Sequence, residues 1–271
     1  MKTFFKKQQA FTLVELMISM TLSLIVIFAV STILISSNQA ASVSDTLTDS
    51  QESGRFAVDY MNRQLLRAGF DPENTGIEAF ATLCVGAADT MCHRESETTT
   101  GDQIAIRRIA QAGSGNAVTC YGTALQDVNG LDISSDVTVI DVYWVELGNG
   151  GLSSLRCQSF DEDGLAQANP GDNFGDAQSL AAGIVAMHVL YGESNEAPDN
   201  NVLNVTGYYN ANQVTDWNNV HAVRIAFLTR ALSNTEGNPW NQNYLVLDSD
   251  MYTFDDAIAR QVFSTTIALL N

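Results

Sequence analysis

One carboxylate, Glu15, stands inside the apolar run TLVELMISM. An unpaired carboxylate in hydrocarbon costs several kcal/mol, whereas one paired with a cation persists. Glu15 must therefore reach a polar interface or meet an amine. A second group with chemical potential is the stretch DEDGLAQANPGDNFGD, in which Asp161, Asp163, Asp172 and Asp176 lie among glycines. Flexible oxygen ligands of this kind suit Ca2+. The D-x-D-G start matches part of an EF-hand loop, but the twelfth position from Asp161 is Asp172 instead of glutamate, and Ala and Pro break the remaining spacing. A solvated acidic loop is the stronger reading and calcium the weaker one.

The cysteines and histidines give no catalytic constellation. Cys84 and Cys92 flank CVGAADTMC, and Cys120 and Cys157 lie in strand-like surroundings. Three pairings of these four thiols are possible; Cys84 with Cys92 and Cys120 with Cys157 is favoured. Zinc is disfavoured because the cysteines lack C-x2-C spacing and the histidines fall at 93, 188 and 221. The chain has no G-x-S-x-G, P-loop or Rossmann glycine pattern. No enzyme activity and no cofactor are expected. Trp144, Trp217 and Trp240 could form a sugar platform, but packing is the better reading for each.

The elements that carry these residues begin with a span. Leu16 to Ile35 contains no charge, no Gly and no Pro, and as a helix it crosses roughly 30 Å, the thickness of a bilayer core. The run exceeds the apolar region of a secretory signal peptide, about 7 to 15 residues. Lys2, Lys6 and Lys7 precede it, and from Phe11 onward ten arginines face 31 acidic residues within a net charge of -18. Positive charge before the span places the N-terminus in the cytoplasm and the body outside, where disulfides persist. Such an acidic body also argues against nucleic acid, whose phosphates require cations.

No Gly or Pro interrupts the chain between Phe11 and Ser53, and an apolar stripe continues through Val43, Leu47, Val58, Met61 and Leu65, with Gly54 and Ala57 on it. One helix is predicted from about Thr12 to Ala68, its second half docked on a folded body. Gly69 and FDPENTG supply the stop. Arg55, Arg63 and Arg67 recur on this helix with Glu52 ahead of them and Asp59 among them, as a salt-bridged face or as docking points for acidic loops. Beyond residue 80 the period becomes that of strands, predicted over 101–110, 116–122, 135–147, 152–160, 183–192, 220–231, 243–247 and 260–270. GNGG at 148–151 reads as a hairpin turn. The fold class is α+β: a long N-terminal helix packed on an antiparallel sheet.

The leader resembles the class III signal of type IV prepilins and pseudopilins, in which a basic leader, a small residue, Phe, and Glu at the fifth mature position precede a membrane helix. The matching residues are Lys6, Lys7, Ala10, Phe11 and Glu15 in AFTLVEL; alanine stands at position 10 where glycine is usual. The segments ESGRFAVDYMNRQLLRAGF, GIVAMHVLYG, DWNNVHAVRIAFLTRA and RQVFSTTIALLN resemble the PilW group of minor pilins.

The resemblance implies cleavage between Ala10 and Phe11 by a prepilin peptidase, N-methylation of Phe11, and pairing of Glu15 with an N-terminal amine during assembly. It implies a leader at 1–10, an assembly helix at 11–35, a periplasmic half of the helix at 36–70 and a pilin-like β-rich head at 71–271. The expected place is the inner membrane, as a single-pass protein with a periplasmic head, and then the pilus tip. The expected partners are other minor and major pilins, the peptidase and methyltransferase, the inner-membrane assembly platform and the lipid bilayer. A minor pseudopilin of type II secretion is the alternative.

Overall fold

The computed structural model describes residues 12–73, 76–80, 93, 95, 100–148, 151–169, 171–194, 204–232 and 239–269. The chain forms two compact units, Met1–Asp45 and Thr46–Asn271. One helix, α1 (Leu13–Leu65), contributes residues to each. Its continuity follows from the absence of helix breakers before Gly54.

The helix stops at Leu65, three residues before the expected Ala68. Arg67 N–H and Ala68 N–H donate to the carbonyls of Gln64 and Leu65, tightening the last turn. Gly69 then takes φ 72°, which glycine adopts without a Cβ clash. Its N–H donates to the Arg107 carbonyl at 2.8 Å, which joins the exit of the helix to the first strand.

In the second unit, β1 (Ile104–Ala110), β2 (Val137–Leu147), β3 (Ser153–Asp161) and β4 (Gln178–Ala182) make one antiparallel sheet in chain order. The second sheet has the order β10-β7-β5-β6, built from β5 (Ile184–Glu193), β6 (Gly207–Tyr209), β7 (Val220–Arg230) and β10 (Arg260–Ala268). The strands β8 (Trp240–Tyr244) and β9 (Tyr252–Asp256) pair as a separate ribbon. All pairings among these strands are antiparallel.

Among the described residues the antiparallel strands of the head are thus divided among three sheets where one was expected. The corner between the first two is Gly183, at φ 79°, with its N–H on the Ser153 carbonyl and its own carbonyl accepting Arg230 N–H. A Cβ there would stand 2.8 Å from the Arg230 oxygen.

The helix supplies the spine of this unit. Its buried residues are Thr46, Ser50, Gly54, Ala57, Met61, Gln64 and Leu65, spaced by three and four as one helical face requires. Val43 and Leu47, expected on the stripe, are exposed and half-buried. Polar Ser50 is accommodated because its hydroxyl lies 2.8 Å from that of buried Thr229 on β7. The main core joins Ala57, Met61 and Leu65 to Ile104, Ile106, Tyr143 and Leu155 of the first sheet and to Val223, Ile225 and Phe227 of the second. Full burial of a side chain such as Met61 or Leu65 contributes about 1.5–3 kcal/mol. On the far face of the second sheet, Ala186, Ala226 and Leu228 are covered by Tyr244, Tyr252 and Phe254 of the ribbon.

Candidate functional site

The first unit presents a helix that is apolar on every side. Leu13, Ile27, Phe28 and Ile33 are each at least 60% exposed, and the helix is long and apolar enough to cross a membrane. Four hydroxyls within the run are satisfied locally. Ser19 donates to the Leu16 carbonyl, Thr21 to Ile18, Ser23 to Ser19 and Thr32 to Ala29, at 2.7–2.9 Å. Hydroxyls folded back on their own helix place no unmet donor against lipid or a neighbouring helix.

Glu15 lies in the first turn of α1. Thr12 accepts Glu15 N–H at 3.3 Å, and its hydroxyl donates to the Glu15 carboxylate at 3.4 Å. The letters TLVE carry the signal for this cap, a Thr-x-x-Glu pattern that satisfies orphan donors at a helix start. The carboxylate also faces the positive end of the helix dipole. Ala10 and Phe11, the expected cleavage and methylation positions, lie outside the described residues, and so does the leader.

Farther along, the face of α1 opposite the buried stripe stays open. Glu52, Arg55, Phe56, Asp59 and Arg63 are exposed, as is Leu66 just past the helix end, with Phe56 and Leu66 each at 42%. Asp59 and Arg63 form the expected i,i+4 pair at 2.8 Å. This pair is solvated and contributes only tenths of a kcal/mol. Arg67 behaves differently, reaching across to the Asn116 carbonyl at 3.4 Å and to the Gln64 side chain at 3.3 Å. The arginines of this helix therefore divide between solvent and docking on the chain's own loop.

That loop is held by a buried polar network. Residues 116–122 were expected as a strand, but they form a turn closed by the Val118–Ala124 bridge and the Thr119 N–H bond to Thr123. Arg108 on β1 donates from Nε to Asp141 Oδ2 at 2.7 Å, with the two side chains 1% and 0% exposed. Its other nitrogens donate to the carbonyls of Asn116 and Val118. Asp141 accepts from Ser159 Oγ, which in turn accepts Cys120 N–H. Tyr60 of α1 donates to the Cys120 carbonyl; burial foremost, and then the nearby Asp141 charge, raise its phenol to about 12. A disulfide joins Cys120 to Cys157 of β3, with a Cα–Cα distance of 6.3 Å. In the sequence the signal for this clamp is a pair of charges, at 108 and 141, within largely apolar strand patterns.

The remaining expected positions fall as follows. Cys84 and Cys92 lie outside the described residues. Buried Asp161 accepts N–H bonds from Gly164, Ala166 and Gln167 at 2.8–3.0 Å. Asp163 accepts from Thr138 N–H, and Asp172 from Asn169 N–H. These carboxylates organise the backbone of their loop. With exposed Asp176 they do not converge into a three-ligand group among the described residues. His93 stacks on Trp217 at 4.4 Å between ring centroids, with Phe80 and Tyr191 edge-on to it. Trp144 is half-buried against the first sheet and Trp240 is 50% exposed.

Residues 142–271 match the family model of Type IV Pilus-assembly protein W, and residues 5–31 match the prokaryotic N-terminal methylation motif. No curated protein and no solved structure matches the chain.

Proposed function

Because this chain is a type IV pilin-like protein of the PilW family, we propose that it is a minor pilin that starts or caps pilus assembly by helix packing and head contacts. One observation carries this reading: the helix that begins at the methylation motif as a fully exposed apolar rod is the same element that supplies Ser50, Gly54, Ala57, Met61 and Leu65 to the core of the head. Helix and head are thereby one covalent assembly part.

Cleavage after Ala10 removes all three lysines and creates an amine on Phe11, four residues before Glu15. The Glu15 carboxylate pairs with the N-terminal amine of its own or a neighbouring subunit and thereby sets the register of insertion. An ion pair in a low-dielectric bundle supplies register more than stability, since desolvation offsets most of its Coulomb energy. The open helix face with Phe56, Asp59, Arg63 and Leu66 meets the adjacent pilin. The protein resides in the inner membrane with a periplasmic head before it enters the pilus, at the tip. Deletion of its gene tests this role: surface pili are expected to disappear while type II secretion continues, and the reverse pattern would assign the chain to the secretion apparatus.

A further inference from the structure

A cavity of about 670 Å3 lies beside the second sheet, where the ribbon of β8 and β9 folds over it. Three potential ligands converge there. His188 comes from β5, Asp248 from the turn between β8 and β9, and Glu95 from the segment that precedes β1. Their ligand atoms all lie within 4.8 Å of one another. Side chains 95, 188 and 248 come from distant parts of the chain, which is why spacing in the sequence could not reveal them.

The imidazole is prepared from behind. His188 is buried, its side chain 3% exposed, and Nδ1 lies 3.5 Å from Asp102 Oδ2. Asp102 is itself fixed, accepting Val189 N–H at 2.8 Å and donating its own N–H to the Met187 carbonyl at 2.7 Å. Nδ1 makes no hydrogen bond of its own and faces this carboxylate, and a carboxylate behind one ring nitrogen is the arrangement found in the outer shell of metal-bound histidines. Here the other nitrogen, Nε2, contacts the Tyr252 hydroxyl at 2.7 Å, and Tyr252 lines the cavity. The imidazole, the Tyr252 hydroxyl and the two carboxylates thus line the same space, and a bound cation would take the place of the Tyr252 contact.

We propose that Glu95, His188 and Asp248 bind one divalent cation of the zinc type, with Asp102 orienting the imidazole. Two carboxylates and an imidazole suit Zn2+ better than Ca2+ or Mg2+, which favour oxygen-only shells. Three protein ligands leave a fourth position for water or for the Tyr252 oxygen. The cation ties the segment at Glu95 and the turn at Asp248 to β5, and so fastens the ribbon to the second sheet.

The test uses the full-length chain in detergent, stripped with chelator and dialysed against ZnCl2. The wild type is expected to retain one zinc per chain and to gain several degrees in Tm. Asp248 is exposed, so D248N is expected to keep the metal-free Tm while losing both the zinc and the shift. D102N is expected to weaken zinc affinity by about 10–100-fold with the ligands intact. Absence of retained zinc in the wild type, wild-type retention by D248N, or CaCl2 producing the shift where ZnCl2 does not, would each overturn the assignment.

Discussion

The ring of Phe263 on β10 lies directly against Gly54 of α1, so close that a Cβ at position 54 would stand 2.3 Å from its Cδ2 and Cε2 atoms. The helix and the edge strand of the second sheet meet there because one side supplies no side chain. Gly54→Ala improves helix propensity by about 1 kcal/mol, but it drives a methyl into the ring at an overpacking cost of about 1–3 kcal/mol. Clash wins, and urea denaturation is expected to show G54A less stable than wild type. In the F263A background the same substitution becomes neutral or stabilising; an equal loss in both backgrounds would show that the ring is not the cause.

The Arg108–Asp141 pair makes an asymmetric forecast. Arg108→Met leaves the Asp141 charge buried with Ser159 as its hydrogen-bond donor, and loss of one partner of a buried pair costs about 3–5 kcal/mol. The double variant R108M/D141L removes both charges and is expected to recover a large part of that loss. Additive single and double effects in chemical denaturation would count against the pairing.

Cys120 and Cys157 are separated by 37 residues, and closing a loop of that length stabilises the folded state by about 4 kcal/mol in the chain-entropy picture. C120S/C157S is expected to unfold at a lower denaturant midpoint. Since Tyr60 and Ser159 both bind the Cys120 backbone, near-ultraviolet circular dichroism should report loosening around Tyr60 in the same variant. An unchanged midpoint would contradict a structural role for the bridge.

Acid sensitivity should trace to His93. The residue keeps part of its surface open, yet its Nε2 is sealed from solvent, and burial pushes the imidazole down to about 3. In the unfolded chain it protonates near 6.5. Between those values the unfolded chain binds the extra proton, so stability falls as pH drops from about 6.5 towards 3, by at most about 1.4 kcal/mol per pH unit. Above pH 6.5 the contribution is flat. H93Q is expected to reduce the slope between pH 6.5 and 5, a window above the ordinary carboxylate range; an identical slope would exonerate His93.

What the sequence made legible was what neighbouring residues decide. The uninterrupted apolar run and the left-handed glycine at Gly69 are local, and both appear where the letters placed them, although the helix itself ends earlier, at Leu65. Short polar strands escaped notice, because GYY in β6, QSLAA in β4 and YTFDD in β9 take their form from partners elsewhere in the chain. NAVTCYG failed in the opposite sense: its β-branched residues suit a strand, but Arg108, Tyr60 and the Cys157 bridge hold it as a turn. The buried stripe was read from apolar letters and thus missed Thr46 and Ser50, which are buried because Thr229 meets the Ser50 hydroxyl and the helix side is small there.

The central claim is that this chain enters the pilus as a processed subunit whose insertion depends on Glu15. The most direct measurement is mass spectrometry of sheared surface pili from a deletion strain complemented with wild type or with Glu15→Val. Wild type is expected to appear in small amounts as a mature chain starting at N-methylated Phe11, whereas E15V is expected to be cleaved normally, remain in the inner membrane and fail to restore pili. Pili that assemble normally without the chain, or that contain it with residues 1–10 still attached, would contradict the account.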